Sequence, residues 1–137
     1  MAFVLDASVA LAWCFQDESS PATDSILHAL RTTNALVPTI WPLEIANALL
    51  VAERRARIHA ADSARFIDLL RTLPIQVEVR PVDSTVTALL AIARDYGLSA
   101  YDAAYLDLAM REGLPIASTD QRLRATAAQA GVPVLPD

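Results

Sequence analysis

The chain contains no lysine, and all eleven of its basic residues are arginine. Whole mechanisms leave with the ammonium group. There is no phosphate-loop lysine, no Schiff base, and no lysine to assist a phosphoaspartate. Arginine suits bidentate phosphate contacts, although the abundant alanine fits a biased genome composition equally well. The single cysteine, Cys14, excludes an internal disulfide. Set among Ala12, Trp13 and Phe15, it reads as a small buried hydrophobe. Charges interrupt every long apolar run, so no window reaches the ~20 residues that span a membrane. The apolar start, Met1 to Phe15, imitates a signal peptide. It lacks a basic n-region and carries Asp6 inside the apolar stretch, so it reads as the first strand and helix of a cytoplasmic protein. Repeats, low-complexity tracts and linkers are also missing. The two histidines, His28 and His59, fall on polar helix positions with no metal-ligand companion.

What is present is a chain of 137 residues, 54% apolar, with a net charge of −5. That length suits one domain over 1–137 with one core. The acidic balance argues against general electrostatic coating of nucleic acid. Phe3 to Asp6 reads as a first strand, Ser8 to Phe15 as a short helix, and Pro21 to about Thr32 as a second helix with Ile26, Leu27 and Leu30 on one face. Ala35 to Pro38 reads as strand two. Thr39 to Pro42 opens a helix that places Leu43, Ala46, Asn47, Leu50 and Val51 at helical spacing and ends in Arg54, Arg55 and Arg57. A helix from Ala60 to Leu73 follows, then strand three over Gln76 to Pro81. Asp83 or Ser84 caps the next helix, with Val86, Leu89, Leu90 and Ala93 inward, up to Gly97. Ser99 to Met110 is a helix, Pro115 to Ser118 strand four, Asp120 to Ala130 a helix, and Val132 to Leu135 strand five. Strands alternating with helices predict an α/β three-layer sandwich around a five-stranded, mostly parallel sheet.

Most acids, including Glu53, Glu78 and Asp107, have the neighbours of solvated faces. Four stand at junctions. Asp6 ends strand one, and Glu44 is in the first turn of the helix after strand two. Asp102 is in the first turn of the helix before strand four, and Asp120 follows strand four. In a parallel sheet all four lie at the carboxyl edge, because a helix that leads back to a strand's start must begin at the opposite edge. With strand one central and strands two and four beside it, they converge at the switch point where such sheets bind ligands. Each acid also has a structural role open to it: Ser99-x-x-Asp102 approximates a capping box, Asp120 suits an N-cap, Glu44 suits a helix dipole, and Asp6 could cap the short helix after it. Capping does not explain Asp6 at the end of a buried strand. Four gathered carboxylates repel one another, and a hard cation such as Mg²⁺ or Mn²⁺ relieves the repulsion. Sites of this kind serve phosphoryl chemistry.

Val4-Leu5-Asp6-Ala7-Ser8, Pro42-Leu43-Glu44-Ile45-Ala46-Asn47-Ala48-Leu49, Tyr101-Asp102-Ala103-Ala104-Tyr105 and Ser118-Thr119-Asp120 together resemble the PIN-domain ribonucleases, more narrowly the VapC-type toxins of toxin–antitoxin pairs. Each motif is weak alone; the ordered set is specific and spans almost the whole chain. The resemblance implies a five-stranded parallel sheet with strand one central, and Mg²⁺-dependent cleavage of RNA. By position, Asp6, Glu44 and Asp102 match the principal metal-binding acids and Asp120 the more variable fourth. Ser8 and Thr119 match positions that hydrogen-bond the acids or a water, and Asn47 faces the same way as Glu44. The resemblance further implies a homodimer and a small VapB-type antitoxin that wraps the toxin and places an arginine in the acidic pocket.

Rival readings meet specific obstacles. A phosphoacceptor receiver domain needs a lysine after its fifth strand. A haloacid-dehalogenase-type phosphatase wants a second aspartate where Ser8 stands. A PIN-fold binding module with little turnover, acting through its antitoxin or by occluding RNA, is the alternative of a different class. Arg54, Arg55 and Arg57 suit RNA phosphates or a solvated helix end. Trp13, Phe15 and Trp41 suit base stacking or packing, Val9 to Phe15 suits an antitoxin groove, and Tyr101 and Tyr105 read as packing residues beside Asp102.

Overall fold

A computed structural model describes residues 2–137. Five short strands form one sheet: β1 (Phe3–Leu5), β2 (Ala35–Val37), β3 (Ile75–Val77), β4 (Ile116–Ala117) and β5 (Val134–Leu135). Their order is β3-β2-β1-β4-β5, and every neighbouring pair is parallel. β1 is therefore central, with β2 and β4 on its flanks. Phe3, Val4 and Leu5 are all buried, as a strand covered on both faces requires. The order reverses direction on either side of β1, which creates the switch point at its carboxyl end.

Seven helices connect the strands: α1 (Ala7–Cys14), α2 (Pro21–Ala29), α3 (Ile40–Arg54), α4 (Ala60–Arg71), α5 (Val82–Tyr96), α6 (Ala100–Glu112) and α7 (Gln121–Gln129). α2 opens with Ser20, whose hydroxyl accepts from the Thr23 amide, and Pro21 stands in the first turn. Gly97 and Gly113 end α5 and α6 in the left-handed region, at φ 64° each, where a side chain would be strained. The core joins β1, β4 and the inner faces of α1, α3 and α6, with Tyr105, Leu106 and Leu108 of α6 almost wholly enclosed. No helix of the described residues is long and apolar enough to cross a membrane.

Four sequence expectations are corrected. The inward face of α3 is Trp41, Ile45, Leu49 and Ala52, while Leu43 and Leu50 are exposed. α3 is apolar on most sides, so periodicity alone did not select the face. β3 stops at Val77 rather than Pro81, and α5 starts at Val82 with Pro81 as N-cap. The Ser84 and Thr85 hydroxyls donate back to the Pro81 carbonyl instead of capping. Val86 and Leu90 point outward, because α5 packs mainly on α6 and buries no residue completely. Asp107 and Glu78 are not on solvated faces. Asp107 is buried between Arg80 and Arg111, and Arg111 also reaches Glu78 at 2.6 Å.

The aromatic residues pack. Phe15 and Trp41 are in the core, and the Trp13 indole N–H donates to the Thr23 carbonyl at 2.9 Å. Arg57 lies over the Phe15 ring at 4.2 Å and pairs with Asp17 and Glu18. Arg54 and Arg55 close α3 ten or more residues beyond Glu44. At 1.5 Å per residue that is roughly 15 Å down the helix, away from the carboxyl edge. Both histidines are exposed.

Candidate metal centre

Asp6 leaves β1 as the N-cap residue of α1, with extended backbone angles. It is buried, and its Oδ2 accepts two hydroxyl hydrogens, from Ser8 at 2.7 Å and from Ser118 at 2.8 Å. Among the described residues Oδ1 takes no hydrogen bond. Ser118 follows β4, so this bond ties the ends of the two neighbouring strands. The same hydroxyls face outward as acceptors: Ser118 Oγ takes the Asp120 amide at 3.0 Å, and Ser8 Oγ takes the Thr119 amide at 3.1 Å. The β4–α7 turn is thus hung on Asp6 by two serines.

Glu44 stands one turn into α3, which begins at Ile40, rather than in its first turn as the sequence suggested. Its Oε1 accepts from the phenol of Tyr105, which is fully buried on α6. Asp102 occupies the first turn of α6, where Ser99, the N-cap, accepts the Asp102 amide at 3.1 Å. Asp120 caps α7, its Oδ1 accepting the Arg122 amide at 2.9 Å and the Leu123 amide at 3.4 Å. Asp6, Glu44 and Asp120 each commit one oxygen to the protein and leave the other uncommitted.

All four acids line one cleft of about 350 Å³, together with Ser8, Asn47, Leu11 and Ala48. Burial raises the pKa of the Asp6 carboxyl, the Ser8 and Ser118 hydroxyls pull it down, and the charges of Asp102 and Asp120 raise it again. Burial also raises Glu44, whose Tyr105 bond offsets part of the effect, with Asp6 and Asp102 adding repulsion. Asp102 is raised by burial and by Asp120, and Arg122 and Ser99 lower it in part. Burial and the adjoining Glu44 push the Tyr105 phenol far above its ordinary range, so it stays a donor.

A cleft whose carboxylates raise one another's pKa attracts a hard cation, and its all-oxygen donor set suits Mg²⁺, Mn²⁺ or Ca²⁺ rather than softer metals. Among the described residues, no three His, Cys, Asp or Glu side chains are already closed around one point as ligands. The donor chemistry fits: among the described residues Asp6, Glu44 and Asp120 each keep one oxygen free of hydrogen bonds.

The structure brings Asp6, Glu44, Asp102 and Asp120 together, with Ser8 and Asn47 beside them. Thr119 contributes its amide to Ser8; the residue is exposed and lines a neighbouring depression with Arg124 and Pro136 rather than the acid cleft. The hydroxyl on Asp6 from this turn comes from Ser118, one residue earlier. Sequence reasoning missed Ser118 and the Tyr105 bond. A serine directly after a buried strand was the available signal for the first. The second joins residues 61 positions apart and has no local signal. Tyr101 is exposed and forms a shallow apolar groove with Ile40 and Leu43, rather than packing inward.

The PIN domain family matches residues 3–129. Comparison with curated proteins finds no match. Among solved structures, PAE2754 from Pyrobaculum aerophilum is 25% identical over 92% of this chain and 87% of that chain, with a TM-score of 0.68. VapBC2 from Rickettsia felis, bound to a DNA fragment from its promoter, is 8% identical over 98% and 97%, with a TM-score of 0.67. VapC20 from Mycobacterium tuberculosis, a sarcin–ricin loop cleaving toxin, is 15% identical over 91% and 94%, with a TM-score of 0.62. At these identities the last two are alike in fold. The family match runs through nearly the whole chain and includes all four cleft acids, and the chain belongs to the PIN-domain family.

Proposed function

We propose that the protein is a Mg²⁺-dependent endoribonuclease, a single nuclease domain that acts in the cytoplasm as the VapC-type toxin of a type II toxin–antitoxin pair. The observation that carries this reading is the cleft of four acids at the carboxyl end of the central strand. Asp6, Glu44 and Asp102 would hold the metal, and Asp120 would complete the set. Bound there, Mg²⁺ (or Mn²⁺) lowers the pKa of a water and offsets charge on the scissile phosphate.

The protein's own residues do the positioning. Ser8 and Ser118 fix the Asp6 carboxylate through Oδ2, so Oδ1 is the oxygen presented to the cleft. Tyr105 holds Glu44 through Oε1 and leaves Oε2 for the site. Asn47, on the same wall as Glu44, offers an amide to a water or a phosphate oxygen, and Thr119 offers a hydroxyl from the neighbouring depression. Water attacks phosphorus in line, so the expected products carry a 5′-phosphate and a 3′-hydroxyl. An acidic surface gives little non-specific affinity, so the substrate is a particular structured RNA.

The neighbouring toxin–antitoxin structures support an antitoxin as partner. An antitoxin arginine entering the cleft would meet the charge the metal otherwise neutralises. A homodimer accompanies this reading.

The test is cleavage of total bacterial RNA by protein freed of antitoxin, with Mg²⁺, with EDTA, and as Asp6→Asn or Asp102→Asn. Cleavage confined to the wild type with Mg²⁺ is expected. Cleavage that survives chelation or either substitution overturns the mechanism. RNA binding without turnover would favour the binding module.

A further inference from the structure

An acidic cleft that cuts a polyanion needs a cation to take hold of the chain. Most arginines are committed elsewhere. Arg57 pairs with Asp17 and Glu18, and Arg80 and Arg111 pair with Asp107. Arg65 and Arg71 pair with Asp62 and Asp68 three residues before them. Arg124 spends its guanidinium on the carbonyls of Ser118, Leu135 and Pro136. Arg54 and Arg55 end α3 far from the cleft, and Arg31 lies just before β2, at the opposite edge of the sheet.

Arg122 is different. It is exposed, in the first turn of α7, two residues after the cap Asp120. Its side chain reaches across to the turn that precedes α6, where it donates to the Gly97 carbonyl at 2.5 Å. That turn carries Ser99 and then Asp102. Arg122 therefore joins the two loops that present Asp102 and Asp120, beside the cleft. Among the described residues it makes no ion pair. One N–H of Arg122 is used by Gly97, which tethers the guanidinium to that turn, and among the described residues its other N–H groups take no partner.

We propose that Arg122 is a phosphate-binding residue of the cleft, taking a non-bridging oxygen of the RNA backbone beside the scissile bond while Gly97 tethers its guanidinium. Its free N–H groups offer the forked geometry that phosphate accepts. It also fixes which way the strand enters, because the contact exists only on the α6–α7 side. The inference rests on the nuclease reading above and concerns the substrate, not the metal.

The experiment measures binding of a labelled pool of mixed-sequence RNA hairpins across a salt series. The proteins are the Asp6→Asn background, so that no RNA is cut, alone and with Arg122→Gln, Arg122→Lys or Arg55→Gln. Arg122→Gln should weaken binding roughly tenfold. It should also reduce the slope of log affinity against log salt by about 0.7–0.9, one phosphate's worth. Arg122→Lys keeps the charge and the fold and should retain the slope while losing part of the affinity. Arg55→Gln, at the far edge, should change neither. In the cleaving protein Arg122→Gln should raise KM more than it lowers kcat. If Arg122→Gln and Arg122→Lys bind with wild-type affinity and slope while the parent cleaves RNA, this inference falls and the nuclease reading stands. If the parent neither binds nor cleaves RNA, both fall.

Discussion

Two buried aspartates in this molecule have opposite surroundings. Asp107 is 4% exposed and Asp6 is 7% exposed. Asp107 has two arginines on its carboxylate, and one of them reaches on to Glu78. Asp6 has two serine hydroxyls and, beyond them, three more acids. Burying a charge is costly unless it is paired. The Asp107 cluster answers that cost inside the chain, with cations delivered by the β3–α5 segment and by α6 itself. The Asp6 cleft leaves it unanswered and faces its spare oxygens into open space. A carboxylate neutralised by its own protein is part of the scaffold, whereas one surrounded by other acids needs a cation from outside.

Substitutions should separate the two sites in opposite directions. The largest effect is expected from Asp6→Asn, which should reduce RNA cleavage by about 10²-fold or more. Without metal it should melt higher than the wild type, because the amide oxygen still accepts a hydroxyl hydrogen and the repelling charge is gone. Cleavage kinetics and thermal melts in EDTA check the two halves; loss of both activity and stability would make Asp6 structural. Asp107→Asn should do the reverse. It strands Arg80 and costs about 3 kcal/mol of stability, while folded protein keeps the kcat of the wild type. Denaturant unfolding and single-turnover cleavage measure this, and a catalytic loss at full stability would contradict it.

Tyr105→Phe sharpens the comparison within the cleft. It removes one hydrogen bond to Glu44 and leaves the buried ring in place. The expected loss is roughly tenfold in Mn²⁺ affinity with little change in melting temperature. Equal affinity in titrations of the two proteins would mean that Glu44 needs no help from the phenol.

The smallest effect is on pH. A carboxyl whose folded pKa is raised holds its proton more tightly in the native state, so its ionisation opposes folding. For Asp6 the opposition is complete above the raised folded pKa and vanishes as pH falls through it toward the ordinary 3.8. The stability advantage of Asp6→Asn in EDTA should therefore shrink as the solution is acidified across that window. Paired melts of the two proteins test this, and an advantage that grows on acidification would give the wrong sign.

The carboxyl-edge convergence of the four acids was legible in the sequence because it follows from connectivity. Parallel strands joined by helices force Glu44 and Asp102 to the edge where Asp6 ends its strand, whatever the side chains do. Strand order was not derivable from pattern alone; the family resemblance supplied it, and the sheet has β1 between β2 and β4. Side-chain partners across long separations were not legible. Asp107 resembled a solvated acid because Arg80 had to be brought to it from 27 positions earlier, and an acid with only Arg111 four residues on in its helix reads as a surface pair. The face of α3 was misjudged because Leu43 and Leu50 are as apolar as Ile45 and Leu49, and only packing into the core distinguishes them. Ser118 was passed over for Thr119 because spacing cannot say which of two adjacent hydroxyls turns toward Asp6.

The most direct measurement is calorimetric titration of Mn²⁺ into metal-free protein at neutral pH, for the wild type, Asp6→Asn and Asp107→Asn. Saturable binding to the wild type and to Asp107→Asn, with binding lost in Asp6→Asn, is the predicted result. Absence of saturable binding to the wild type, or binding that Asp6→Asn leaves unchanged, would contradict the claim that the four-acid cleft is a metal centre.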